Sequence, residues 1–265
     1  MEVLGYLASA LIGISLGLIG GGGSILTVPV MVYLFGFSPP VATSYSLFII
    51  GVSSLLGAYT NYKKGLVNFK VAIFFGASSV TTVFITRKFL MPAIPEAIMR
   101  IGSLDISRSM LTMVLFALLM LIASVSMIRN KKTNSDVKEC PDCIRFVKLF
   151  AYGVGIGLVT GLLGAGGGFL LIPALIILVK LPMKQAVGTS LLIIALNSLI
   201  GFAGDLGHFQ MDWLFLWKIS TFAGLGILAG GFLNKRVNGD RLKKGFGFFV
   251  LIMGVYIIFK ELIFH

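Results

Sequence analysis

The chain has 265 residues, of which 57% are hydrophobic and only 12% are charged, and its formal net charge is +12. A soluble domain carries about 25% charged residues, so this composition excludes a soluble globular protein and indicates an integral membrane protein in a lipid bilayer. The positive charge does not indicate nucleic-acid binding, because the chain has no basic, aromatic-rich soluble domain, and we expect the charge to lie in cytoplasmic loops.

The first apolar segment covers residues 3–35 and is interrupted by the glycine run Gly20–Gly23. Each glycine disfavours a helix by roughly 1 kcal/mol relative to alanine, so the run predicts a helix break. The segment carries Glu2 and begins without the basic stretch of a cleaved signal peptide, so we expect it to be retained.

The same pattern recurs 144 residues further along the chain. GLIGGGGSILTVP at 17–29 and GLLGAGGGFLLIP at 161–173 are identical at seven of thirteen positions. Two interrupted apolar segments at corresponding places in two halves are typical of transporters, which form their substrate site there.

The other apolar stretches are long enough for helices that cross a bilayer, and each half contains three. These predicted crossings are 41–62, 69–86, 109–128, 186–206, 213–233 and 246–264. Residues 87–108 contain Pro92, Pro95 and several charges, which predicts an irregular interfacial connector. The polar stretch 129–145 is predicted to be a cytoplasmic linker between a first membrane repeat, 1–128, and a second, 146–265.

The distribution of lysine and arginine distinguishes two arrangements of the broken segments. If each broken segment spans the bilayer, ten positive charges lie on one side and eleven on the other. If each is a re-entrant hairpin, sixteen lie on one side and five on the other. Cytoplasmic loops carry the excess of positive charge, so the hairpin arrangement is favoured; it inverts one half relative to the other and places both termini outside.

Each G-x-x-G-x-G-G motif is followed by a proline and then by VATS at 41–44 or VGTS at 187–190. Asp212-Trp213 opens a crossing of the second half, and Asn68-Phe69 stands in the corresponding place of the first. Together these duplicated motifs resemble those of the TauE/SafE sulfite exporter family. The resemblance covers essentially the whole chain and implies a multi-pass inner-membrane transporter of sulfur-containing anions such as sulfite and organosulfonates.

A helix that restarts after a glycine break begins with unpaired N–H groups and a positive dipole end, which suit an anion. Hydroxyl and amide side chains nearby can bind sulfonate oxygens without the cost of a buried cation, although helix capping or packing between helices explains them equally well. The candidate substrate-binding residues are Gly21, Gly22, Gly23, Ser24, Thr43, Ser44, Gly166, Gly167, Gly168, Thr189, Ser190, Asn197 and Lys218.

Ionisable residues within or near the crossings are few. Lys218 either reaches the membrane surface with its long side chain or supplies positive charge to an anion. Asp205 and His208 are candidates for proton coupling, with an ordinary interfacial loop as the alternative. Cys140 and Cys143 form a lone CxxC pair, which provides two of the four ligands that zinc takes, so we expect two reduced thiols and neither metal nor cofactor.

The sequence therefore predicts an all-α polytopic membrane protein with two inverted repeats, each made of a glycine-broken re-entrant helical hairpin and three transmembrane helices. We expect it to export a small anion by alternating access around the glycine breaks. An anion channel is the alternative. An intramembrane enzyme is disfavoured, because the glutamates lie at ends or in loops and no arginine is expected within a crossing. Association of several copies is left open.

Overall fold

The computed structural model describes residues 2–95, 97–101, 104–128, 146–208, 210–233 and 239–263. The predicted linker 129–145, with Cys140 and Cys143, lies outside the described residues.

The described elements of the two halves follow the same order, except for one β-hairpin in the first half. The first half contains α1 (Glu2–Ile19), α2 (a helical stretch made of Gly21–Leu26, Thr27–Pro29 and Val30–Leu34), α3 (Pro39–Lys63), α4 (Phe69–Ala93), β1 (Ala97–Ile101), β2 (Leu104–Ser107) and α5 (Arg108–Ile128). The second half contains α6 (Phe146–Leu163), α7 (Gly168–Leu178), α8 (Met183–Asp205), α9 (Trp213–Leu233) and α10 (Gly239–Ile263).

Within the described residues, five helices are long and apolar enough to cross a membrane, namely α3, α4, α5, α8 and α9. They match five of the six predicted crossings, and α10 covers the sixth. Large apolar side chains cover their outer faces; Leu225 is 65% exposed and Phe232 is 73% exposed. An apolar exterior over helices of this length is what a bilayer requires, so the chain is a multi-pass membrane protein.

The connector predicted at 87–108 differs from the prediction. Helix α4 continues past Arg87 through the π-helical turn Thr86–Leu90 and ends only at Ala93. The wider turn accommodates Pro92, which lacks the N–H that a regular helix needs. Strands β1 and β2 then pair antiparallel before α5 begins. The placement of Arg87 in an interfacial connector was therefore wrong, and the all-α prediction did not include the β-hairpin.

Both predicted helix breaks are present, and at each one the chain folds back on itself. Gly20 has a φ of 76°, and Gly164, Gly166 and Gly167 have φ values of 66°. This left-handed region suits glycine. Past the first break, Gly23 packs against the backbone of Ser15 and Leu16, and Phe35 at the end of the segment lies against Gly5 near its beginning. Past the second break, Gly167 packs against Ile156 and Thr160 in the same way.

Small residues bring each hairpin into backbone contact with a helix of the other half. Gly13 and Gly17 of α1 lie against Ala223 and Ile227 of α9. Gly153, Gly157 and Gly161 of α6 lie against Ser78, Ser79 and Thr86 of α4, respectively. Close approach of small residues is how membrane helices associate, because lipid provides no hydrophobic driving force between them. In both pairs the residue numbers rise together, so the paired helices run parallel.

Contacts in one half recur in the other at the same offset of 144 residues. Gly57 of α3 packs on Leu191 of α8, and Gly201 of α8 packs on Leu47 of α3. These pairings show that α3 and α8, which occupy corresponding places in the two halves, run antiparallel.

The hydrogen bonds made by the residues just before α4 and α9 recur at this offset as well. The N–H of Asn68 donates to Thr189 Oγ1 and the N–H of Asp212 donates to the Tyr45 hydroxyl, each at 2.9 Å. The structural counterpart of Thr189 is therefore Tyr45, and the Thr43-Ser44 and Thr189-Ser190 pairs do not occupy equivalent places.

Candidate functional site

The two glycine breaks meet inside the helix bundle. The backbones of Gly21 and Gly168 are in contact, so that a Cβ at either position would collide with the main chain of the other. Residues that follow the two glycines along the chain are buried, among them Ile25 of α2 and Leu171 of α7. A ligand between the hairpins would therefore approach main chain from both halves.

Buried hydroxyl groups border the second break, Gly164–Gly167. Gly166 lies against Ser198 Oγ, and Gly167 lies against Thr160 Oγ1. Both hydroxyls are buried and have no hydrogen-bond partner in the described part of the chain. An unpartnered buried hydroxyl costs free energy, so these groups are free to bind a polar ligand.

An ion pair completes the surroundings of the second break. Arg87 Nη1 donates to Asp205 Oδ2 at 3.0 Å and to Thr43 Oγ1 at 3.2 Å. The side chains of the ion pair are only 2% and 5% exposed. A Cβ on Gly164 would lie 2.6 Å from Arg87 Nη2 and 2.5 Å from Thr43 Cβ, so only glycine leaves room for the arginine here. The pair ties α4 to α8 beside the tip of the second hairpin.

Arg87 is only partly satisfied by these bonds. Of its five N–H donors, the two on Nη1 are used, while Nε and Nη2 are buried without a partner among the described residues. This arrangement places a positive charge with free donors next to the turn where α7 begins.

The candidate hydroxyls are largely committed to their own helices. Ser24 donates to the carbonyl of Gly21, Thr43 to that of Pro40 and Ser190 to that of Val187. A hydroxyl has one hydrogen to donate, so these three groups offer an anion no donor in this state. These are bonds from a hydroxyl back to a carbonyl of the preceding turn, so the three residues do not cap their helices, which was the alternative that the sequence left open.

Two further candidates are buried polar residues with different surroundings. Ser44 is buried, and its hydroxyl has no hydrogen-bond partner among the described residues. Asn197 donates from Nδ2 to Ser79 Oγ at 2.7 Å, which joins α8 to α4, and its Oδ1 has no partner within the described part of the chain.

The remaining candidates lie at the edge of the site or away from it. Gly22 and Gly23 lie in the 3₁₀ turn that opens α2. Lys218 is exposed on α9 and is not brought to the breaks, in agreement with a side chain that reaches the membrane surface. His208 is exposed in the turn after α8, where its N–H donates to the carbonyl of Asp205. Asp205 is the last residue of α8, and its side chain is buried in the ion pair with Arg87, so it does not lie in an exposed loop.

Arg87 is the main residue that sequence reasoning missed. It was counted among the positive charges outside the membrane because Pro92 and nearby charges suggested that the helix had ended. The available signal was the apolar run on both sides of the charged pair Arg87-Lys88, which allows one helix to continue to Ala93. The expectation that no arginine lies within a crossing, which disfavoured an intramembrane enzyme, was therefore wrong.

The described residues contain no group of three or more histidine, cysteine, aspartate or glutamate side chains that could hold a metal ion. The chemistry available at the breaks is therefore that of one arginine, one carboxylate, hydroxyls, an amide and main-chain N–H groups. Such a set binds an oxyanion by hydrogen bonds and charge.

Comparison with known proteins gives a consistent result. The family described as "Sulfite exporter TauE/SafE" matches residues 5–257. A "Probable membrane transporter protein" from Xylella fastidiosa (strain 9a5c) is 29% identical over 258 residues, covering 96% of this chain and 94% of the relative. The "Probable membrane transporter protein YunE" of Bacillus subtilis (strain 168) is 27% identical, covering 98% and 97%.

No solved structure matches the chain. The family and these relatives indicate a membrane transporter, as the glycine breaks within a multi-pass helical bundle do independently. The match extends over nearly the whole sequence, and the chain belongs to the sulfite exporter TauE/SafE family.

Proposed function

We propose that the protein transports a small anion across the cell membrane, with sulfite or a related sulfur oxyanion or organosulfonate as the substrate class. Membership of the sulfite exporter family supports this proposal and favours transport over catalysis. The single observation that carries it is the contact between Gly21 and Gly168, which brings two broken helices together inside the bundle. Irregular backbone at membrane depth is tolerated where it is buried in protein or lines a cavity for a ligand.

The proposed mechanism is alternating access between two inverted halves. Antiparallel packing of α3 on α8 supports inversion, because a two-fold axis in the membrane plane reverses corresponding helices. The fold-back at each break supports the re-entrant hairpin. Each hairpin is packed against a helix of the opposite half, so rocking of one half changes access to the contact between the breaks.

The proposed topology places both termini outside and residues 129–145 in the cytoplasm. Removing the buried Arg87 from the outer group leaves four positive charges outside against sixteen inside, which strengthens the charge argument. Reporters fused after Gly65 and at the C-terminus test this topology. We expect a cytoplasmic and a periplasmic signal, respectively; a cytoplasmic C-terminus contradicts the inverted arrangement.

Export is the proposed direction on energetic grounds. With the inside negative, an anion that leaves the cell gains about 2.3 kcal/mol per charge per 100 mV. Outward movement then proceeds without a coupling ion.

Counterflow in reconstituted vesicles tests the proposed function. Vesicles are loaded with unlabelled sulfite, sulfate, thiosulfate, a small sulfonate or chloride, and the entry of labelled sulfite is followed. We expect one or two sulfur anions to accelerate entry, because a carrier exchanges one substrate for another. Equal flux with every anion and no acceleration would indicate a channel, and no flux with any of them would contradict sulfur-anion transport.

The matched control for the reconstitution is a glycine outside the breaks. Gly155 lies in α6, and a Cβ there would meet nothing within 4 Å. Gly155→Ala should therefore carry wild-type flux, whereas Gly168→Ala should not, because its Cβ collides with Gly21.

A further inference from the structure

Within the described part of the chain, Arg87 is a buried cation with unpaired N–H donors, and the backbone geometry of the glycine breaks does not require such a residue. Its guanidinium donates only from Nη1, while Nε and Nη2 are buried without a described partner. Leaving the donors of a buried cation unpaired is costly. Their presence beside the second break indicates an acceptor that is bound there in another state of the protein.

The free atoms have the geometry that an oxyanion needs. The N–H groups of Nε and Nη2 lie on one edge of the guanidinium and point in the same direction, so they can bind two oxygens of one anion. Gly164 borders Nη2 and keeps side-chain atoms away from it. Further along the same turn, Gly166 lies against the hydroxyl of Ser198 and Gly167 against that of Thr160, and neither hydroxyl has a described partner.

We propose that Arg87 binds the transported anion through its Nε and Nη2 edge, with Asp205 as the resident counter-ion that positions Arg87 and limits how tightly the anion is held. This inference rests on the proposed function and assigns it a binding residue. Asp205 holds Nη1 and leaves the other edge free. Its negative charge opposes a second anion nearby, which favours release during each transport cycle.

Few other charged side chains of the described residues lie near this pair. His208 is exposed in the turn after α8, and its main-chain N–H donates to the carbonyl of Asp205. Lys88, next to Arg87 in α4, is exposed and lies over the rings of Phe84 and Phe89. The electrostatic potential at the free edge of Arg87 is therefore determined mainly by Arg87 itself and by Asp205.

The first half shows that an amide fits the position of the carboxylate. Asn61 stands 144 residues before Asp205, near the end of α3, and donates to the carbonyl of Gly57. Asp205→Asn therefore removes the charge with little change in shape. Arg87→Lys keeps the charge but removes the two-pronged edge. The double variant Arg87→Gln/Asp205→Asn removes both charges and avoids a lone buried carboxylate.

The experiment measures anion affinity and transport in these three variants and in wild-type protein. Affinity is taken from the rise in Tm of purified protein on addition of sulfite, sulfate or thiosulfate, and KM and kcat from counterflow. We expect affinity to fall about tenfold in Arg87→Lys and at least about 100-fold in the double variant, from the loss of charge-assisted hydrogen bonds.

Asp205→Asn is the variant that separates binding from structure. Removing the competing charge should tighten the affinity for anion about tenfold, lower KM and also lower kcat, because release becomes slower. Both a binding role and a purely structural role predict a less stable protein, because Arg87 is left buried without its counter-ion. A purely structural ion pair predicts no gain in binding, so an affinity that is unchanged or weaker overturns the assignment.

Arg108 provides the matched control. It donates to the carbonyls of Met91 and Ile94 and thus serves local structure outside the breaks. Arg108→Gln should lower Tm without changing its anion dependence. Anion affinity in Arg87→Lys and in the double variant that equals that of Arg108→Gln overturns the assignment, as does weaker affinity in Asp205→Asn.

The two measurements distinguish this inference from the proposed function. If wild-type protein shows an anion-dependent Tm but no counterflow, the proposed transport is contradicted. The anion-dependent Tm of the Arg87 variants then still decides whether Arg87 binds the anion. Wild-type protein whose counterflow is unaffected by the Arg87 variants would overturn the inference and leave transport standing. Wild-type protein whose Tm responds to no sulfur anion overturns the binding assignment.

Discussion

The two glycine breaks share a backbone plan but differ in their surroundings. At the first break, Gly20 lies against the apolar side chains of Ile172 and Val187. At the second, Gly164 lies against Thr43 and Arg87. The offset of 144 residues pairs Val187 with Thr43, Gly231 with Arg87 and Asn61 with Asp205. The two breaks therefore share a backbone arrangement, but among the described residues a buried ion pair lies only beside the second break.

This difference indicates that the second break is the one suited to bind an anion. A side-chain hydrogen bond between α4 and α8 is likewise present near the second break and has no equivalent near the first among the described residues. Asn197 and Ser79 form it near the second break, whereas the corresponding residues of the first half and its partner helix are Ser53 and Ala223. We expect perturbations near the second break to affect transport more than equivalent changes near the first.

The largest expected effect on stability comes from separating the buried ion pair. Arg87→Gln leaves the Asp205 carboxylate buried without a counter-ion and should cost about 3–5 kcal/mol of unfolding free energy. Adding Asp205→Asn should recover a large part of that cost, since no charge then remains buried. Equilibrium unfolding in detergent measures both variants; a double variant no more stable than the single one is the result that contradicts this account.

The next effect concerns the contact between the breaks. Gly21→Ala and Gly168→Ala each place a Cβ in the main chain of the opposite hairpin. Overpacking of this kind costs about 1–3 kcal/mol, and displacement of the hairpins should reduce sulfite counterflow at least tenfold. Gly155→Ala is the neutral control. Wild-type flux in both variants would show that the contact has no part in transport.

A smaller effect is expected from the hydrogen bond between Asn197 and Ser79. Hydrogen bonds between membrane helices contribute about 0.6 kcal/mol on average, so Ser79→Ala should lower the unfolding free energy by that order. Ser53→Ala, at the equivalent place in the first half, loses only bonds to its own helix and should cost less. A larger cost for Ser53→Ala would reverse the comparison between the halves.

The smallest effect is expected at Lys218. Its side chain is exposed on α9, so Lys218→Gln should change unfolding free energy by less than about 0.5 kcal/mol and leave counterflow unchanged. Loss of sulfite flux in this variant would show that Lys218 takes part in transport and that a cation away from the second break contributes to it.

The sequence was sufficient for features that depend on local backbone. Glycine runs at 20–23 and 164–168 predicted the breaks, because a left-handed backbone favours glycine wherever it occurs. Apolar length predicted the crossings, and the spacing of the duplicated motif predicted the correspondence of the halves. Lys63 and Lys64, in the loop predicted as cytoplasmic, are exposed in the structure.

The features that the sequence did not predict depend on residues far apart in the chain. Arg87 and Asp205 are 118 positions apart, and only the packing of α4 on α8 brings them together. Pro92 was interpreted as a helix end, whereas the π-helical turn Thr86–Leu90 accommodates it and the helix continues to Ala93. The shared Thr-Ser letters at 43 and 189 suggested equivalence, whereas hydrogen bonds pair Thr189 with Tyr45.

The most direct test of the central claim is to locate the anion. Selenite has the shape and charge pattern of sulfite and scatters X-rays anomalously, so crystals grown with selenite reveal its position. We expect an anomalous peak at the second break, within hydrogen-bond distance of Arg87 Nε and Nη2. A peak at the first break beside Val187, or none near Arg87 in protein that transports selenite, would contradict it.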